Sequence, residues 1–213
     1  MKSININRRS SSLLRLLTFC AFASLSACAS SPEPNLYLMK SEQVSPIVQG
    51  SSNVSVVVGP VTMPEHLKRS EVVYRTNGHA IQVNENDRWA ESLERNMASV
   101  ISSNVAAYLG TDQAFDYYAN FSTQPDYSVR LNVTEFSRVS VDRVSLSVSW
   151  ELVNKSARTS KLYLENINVP ISHSGDYEKE DSNVSNVVAA MNEALNELSL
   201  IIANKITGKD LQS

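Results

Sequence analysis

The feature that most constrains this chain is a stretch of strict alternation. Val144, Leu146, Val148, Trp150 and Leu152 alternate with Ser145, Ser147, Ser149 and Glu151, the period of a strand that is dry on one face and wet on the other. Such a strand needs neighbours divided in the same way and a second layer to cover the dry face. Val129, Leu131 and Val133 predict one neighbour. Leu162, Leu164, Ile167 and Val169 predict another, with a slip between 164 and 167. For the covering layer, Trp89, Leu93, Met97, Val100, Ile101, Val105 and Tyr108 form one apolar stripe at helical spacing. Gly110 supplies its stop, and Asn86 or Asp87 its cap. Val184, Val188, Met191, Leu195, Leu198 and Ile202 predict a second helix over about residues 183–206, capped by Asp181 or Ser182. The expected fold is α+β: a two-layer sandwich with a mixed, mostly antiparallel sheet and two long helices packed on one face.

The amino-terminal half adds strands with other signatures. Leu36, Tyr37, Leu38 and Met39 read as a short first strand. Residues 54–58 (VSVVV) are β-branched and nearly continuous, as in a strand buried on both faces, and Gly59-Pro60 stops it. Residues 71–75 and 79–83 flank Thr76-Asn77-Gly78, a hairpin signal. Phe115, Tyr117, Tyr118 and Phe121 crowd into seven residues. They read as an edge strand or loop packed on the core; the sharper alternative is a patch that meets lipid or a partner.

The first residues dictate where the chain works. Lys2, Arg8, Arg9 and Arg15 precede any acid, and a short apolar run over residues 16–25 follows. That run is well below the roughly 20 residues of a membrane-spanning helix, so it reads as an export leader. Leu25-Ser26-Ala27-Cys28 then matches a lipobox, which predicts cleavage before Cys28 and acylation of its thiol. Each buried methylene of the acyl chains contributes about 0.8 kcal/mol, so several chains hold stably. The expected division is a leader over residues 1–27, a lipidated tether over 28–34, a domain over 35–206 and a tail over 207–213. Ala29 stands where an Asp would favour inner-membrane retention, which predicts the outer membrane of a Gram-negative cell.

Composition removes several classes of activity. Losing the four leader cations takes the formal charge from −3 to −7, against nucleic acid as a partner. Cys20 leaves with the leader and Cys28 is acylated, so the mature body has no thiol. His66, His79 and His173 lie at no metal-ligand spacing, so neither metal nor cofactor is expected. The six glycines are scattered, without a phosphate loop or dinucleotide fingerprint, and no G-x-S-x-G elbow occurs. The expectation is no enzyme and no catalytic residue.

Three stretches carry a family resemblance. Val58-Gly59-Pro60-Val61-Thr62-Met63-Pro64, then Arg69 with Val72-Val73-Tyr74-Arg75, then Arg88-Trp89-Ala90-Glu91-Ser92-Leu93 resemble the signature of the ABC-type transport auxiliary lipoproteins. The ending, with Val187-Val188-Ala189-Ala190-Met191 and Ala194-Leu195-Asn196-Glu197-Leu198, is similar too. The chain departs from the pattern at His66, Lys68, Ser70 and Ser92. The resemblance implies a periplasm-facing outer-membrane lipoprotein. It would form a homo-oligomeric ring and receive the tip of an inner-membrane MCE-domain tunnel protein, with phospholipid as cargo. Gly59, Pro60 and Pro64 read as structural, and Trp89 as a core anchor. Arg69, Arg75, Arg88 and Glu91, together with Tyr117 and Tyr118, are the candidates for partner or protomer contacts. The competing reading is a monomeric periplasmic lipid shuttle.

Overall fold

The computed structural model describes residues 33–48, 52–75, 80–119, 124–172 and 184–208. From Pro34 onward the chain forms one compact unit. Its strands are β1 (Asn35–Tyr37), β2 (Val56–Thr62), β3 (Glu71–Arg75), β4 (Ile81–Trp89), β5 (Ala114–Asp116), β6 (Tyr127–Ser140), β7 (Arg143–Asn154) and β8 (Thr159–Pro170). The helices are α1 (Leu93–Leu109) and α2 (Val184–Thr207), and a short 3-10 turn spans Glu65–Leu67. The expected α+β architecture holds, with all eight strands in one mixed sheet.

The long strand β6 organises that sheet. One of its edges pairs antiparallel with β7, which pairs antiparallel with β8. Its other edge is shared: β2 runs parallel to the first half, and β3 meets it in parallel where Tyr74 faces Arg138. Beyond β2 lies β5, and beyond β3 lie β4 and then β1. The alternation of β7 has the predicted consequence, since Val144, Leu146, Val148, Trp150 and Leu152 are all buried while the intervening residues are not. Both helices bury their apolar stripes in the same core, including Met97, Ile101, Val105, Leu195, Leu198 and Ile202.

Three expectations about local structure are overturned. Gly59-Pro60 does not end β2, which continues through both residues to Thr62. The register on β6 shifts between Val58 and Val61; a bulge there accommodates a proline that has no N–H to donate. The Gly59–Pro60 peptide is cis, and Gly59 has φ +117°, open to glycine alone.

Trp89 does not head the first helix but closes β4, and neither Asn86 nor Asp87 caps it. Parallel pairing with β1 holds residues 87–89 extended. The Asp87 carboxylate instead accepts from Asn35 Nδ2 at 2.9 Å. Ser92 is the cap, its hydroxyl accepting from the Arg95 amide, and Gly110 ends the helix in the left-handed conformation as expected. Trp89 is buried in the core.

The slip between 164 and 167 is absent as well. β8 runs in unbroken register against β7, so Leu162 and Leu164 point away from the core, 71 % and 78 % exposed. The Asn77-Gly78 turn, the caps at Asp181 or Ser182, Cys28, Phe121, His79 and His173 lie outside the described residues.

Candidate functional site

Gly59 of the signature seats the two tyrosines against β2 at its bulge. A Cβ on Gly59 would lie 2.6 Å from Tyr117 Cβ, so the absence of a side chain is what lets the segment after β5 lie against β2. The Tyr117 amide donates to the Val58 carbonyl at 2.8 Å. The Tyr118 amide donates to Asp116 Oδ1 at 2.9 Å. These two bonds turn the chain so that the tyrosine rings meet edge to face at 5.6 Å, with the Arg95 guanidinium 5.7 Å over the Tyr118 ring. Partial burial raises the Tyr118 phenol above its ordinary pKa. Even so, Tyr117 and Tyr118 remain 53 % and 39 % exposed. Pro64 leads into the 3-10 turn, which anchors itself through the buried Leu67 and carries a Lys68–Glu65 ion pair on its outer side.

The remaining predicted contacts fall elsewhere. Arg69 Nε lies 3.3 Å from Glu71 Oε2, and Glu71 is the cross-strand neighbour of Arg88. These three form one charged patch at the start of β3. The Glu71 carboxyl is held below its usual range, first by a backbone amide and then by Arg69. Arg75 stands at the far end of β3 and pairs with Glu135. Glu91 is exposed just ahead of α1. The six candidates therefore sit in three places: the tyrosines with the α1 start, Arg69 with Arg88, and Arg75 alone with its acid.

Sequence reasoning missed a polar group behind that charged patch. Asp87 is only 6 % exposed and takes its hydrogen bond from Asn35. Burial, followed by a hydrogen bond to Asp87 and by its charge, raises the Tyr37 phenol. Burial also pushes the neighbouring Tyr74 up to about 12, and Arg138 lies 5.4 Å over the Tyr74 ring. Phenols held protonated beside a carboxylate offer it hydrogen bonds. An acid within a strand carries no local signal of its partner; only the pairing of β1 with β4, 52 residues apart, brings Asn35 to Asp87.

Two open clefts occupy the opposite end of the sheet. One, of about 350 Å³, is lined by Asn53, Val54, Asp126, Tyr127, Asn154 and Ser156. The other, of about 300 Å³, lies between the start of β8 and the end of α2 and includes Lys161, Tyr163 and Lys205. Among the described residues no group of three or more His, Cys, Asp or Glu side chains is placed to hold a metal ion. No described helix is long and apolar enough to cross a membrane.

An open mixed sheet covered by two helices, with its charged and aromatic groups at the surface, defines the class of fold. The sequence profile of the ABC-type transport auxiliary lipoprotein component matches residues 37–203, and the chain belongs to that family. Two crystal structures share the fold with a TM-score of 0.63 each. One is an uncharacterised protein, 19 % identical, covering 82 % of this chain and 99 % of its own. The other is a Xanthomonas campestris protein of the DUF330 family, 14 % identical, covering 82 % of this chain and 96 % of its own. No curated protein matches the sequence.

Proposed function

We propose that this protein is a non-enzymatic outer-membrane lipoprotein, acylated at Cys28, that serves an MCE-type system moving phospholipid between the two membranes. Identical domains assemble into a collar at the periplasmic face of the outer membrane and receive the tip of the tunnel protein that rises from the inner membrane. The surface built from Tyr117, Tyr118 and Glu91, and the patch of Arg69 and Arg88, supply contacts to protomer or partner; Arg75 is a third such contact. The observation that carries this reading is the family match across residues 37–203, which spans nearly the whole folded body.

The shuttle reading asks for an apolar pocket holding a two-chain lipid. Such a lipid would need more room than either cleft described above, at about 350 and 300 Å³, offers by itself. Native mass spectrometry of the detergent-solubilised protein separates the alternatives: a defined oligomer that captures the MCE-domain protein supports the collar. A monomer carrying co-purified phospholipid overturns it in favour of the shuttle. Loss of palmitate labelling in Cys28→Ser tests the anchor separately.

A further inference from the structure

We infer that the end of the sheet bearing the β6–β7 turn rests on the lipid surface, with Val141 entering the headgroup layer; this rests on the anchor at Cys28 proposed above. The two turns that flank β7 differ in a way the fold does not require. At one end β6 stops at Ser140 and β7 starts at Arg143, leaving Val141 and Asp142 as the turn. Val141 stands there 60 % exposed. Its backbone is not left-handed, and the hydroxyl of Ser140 bonds Asp142 Oδ1 at 2.7 Å. The turn is thus stabilised by its polar residues, and the valine side chain contributes nothing to it. At the other end the turn over residues 155–158 reads Lys, Ser, Ala, Arg, without a large apolar side chain.

The strand directions point the start of β1 toward the end of the sheet that carries the first turn. β1 is parallel to β4, β4 antiparallel to β3, and β3 parallel to β6. The chain therefore enters β1 from the side where β6 ends. Leu36 faces Arg88, which faces Glu71, so Asn35 stands level with about Val72. From Val72 to Tyr74, and on from Arg138 through the end of β6 to Val141 in the turn, is five residue steps, or at most about 17 Å. Seven residue steps separate Cys28 from Asn35 and reach at most about 24 Å. An acylated Cys28 can therefore clear the turn by only about 7 Å, which is within the depth of a headgroup layer.

The same end has the chemistry for that contact. Ile81, at the start of β4, is 43 % exposed and lies in the row of Arg75. Arg143 is exposed beside Ser140, and Arg138 bonds the Ser140 carbonyl at 3.1 Å. Arginine stems lie along an apolar surface while their heads stay among phosphates.

The test uses the lipidated protein in vesicles of phosphatidylethanolamine and phosphatidylglycerol, with bromolipid as quencher. With Cys28 acylated and the leader gone, an introduced thiol is the sole labelling site. An environment-sensitive fluorophore on Val141→Cys is expected to lose about half its emission to bromolipid, and one on Ala157→Cys almost none, as for a side chain at the headgroup boundary against one facing water. An unquenched residue 141 in protein that still floats with the vesicles overturns the inference and leaves the anchor standing. Equal quenching at both positions overturns it too. Protein that neither floats nor takes up palmitate removes the anchor, and the inference with it.

Discussion

Strands β7 and β8 lie side by side in unbroken antiparallel register, each twelve residues long, yet they divide their apolar residues in opposite ways. β7 is flanked on both edges and covered by helix, and every large apolar residue in its alternation is buried. β8 is an edge strand. Its final third points Ile167 and Val169 into the core, while Leu162 and Leu164 face outward and the inward positions beside them hold Lys161, Tyr163 and Glu165. The inward Tyr163 stacks on Trp150 at 4.4 Å, and Lys205 of α2 lies 5.6 Å from the centre of its ring. Apolar residues mark the core side of a strand throughout only where both its edges are flanked; on the edge strand a stacked tyrosine and long charged side chains take inward positions, and leucines are left to face outward.

The largest expected effect lies at the join of the two strands. Trp150 is 1 % exposed, and Trp150→Ala should cost about 3–5 kcal/mol in chemical denaturation through the cavity it leaves and the lost stacking. A loss under about 1 kcal/mol would break the contrast, because the two strands would then be packed alike.

A smaller effect is expected at the first residue before β6. Asp126 accepts from the Ser55 amide at 2.9 Å and the Ser55 hydroxyl at 2.7 Å, while its carbonyl takes the Lys155 amide at 2.8 Å. The Ser55 amide, and then the hydroxyl, hold its carboxyl below the usual range. The stabilisation is therefore full above the ordinary carboxylate pKa near about 4, and is lost as pH falls through the lower folded value. Asp126→Ala should cost about 1–2 kcal/mol at pH 7 and progressively less as acid is added. A cost that does not change with pH would show that the charge is irrelevant.

The smallest effect belongs to the outward leucines. Leu162→Ser with Leu164→Ser should leave the thermal midpoint within the shift expected for about 0.5 kcal/mol, since neither side chain leaves the core. A large drop would place them inside an interface that stabilises the folded protein.

How much of this was readable in the sequence depends on whether a residue's role is local. The stripes of both helices, the left-handed stop at Gly110 and the alternation of β6 and β7 are local, and they emerge from spacing alone. Spacing alone starts α1 too early, because Trp89 continues the helical spacing while its backbone is claimed by β1, more than fifty residues earlier. β2 was cut short at Gly59-Pro60 because a bulge cannot be told from a stop until the strand opposite is known. The candidate contacts were legible as residue types but not as groups. Glu71 joins Arg69 to Arg88, and Gly59 seats Tyr117, only once the sheet has closed.

One long-range bond has a consequence for the order of events. The Lys40 amide donates to Asn192 Oδ1 at 3.0 Å across 152 positions, and the Met39 amide donates to Asn96 Oδ1 at 2.8 Å. β1 and the Met39 amide find their partners in β4 and the first helix, whereas the Lys40 amide waits for the last helix, so the end of the chain is what completes the ties of the segment that follows its first strand.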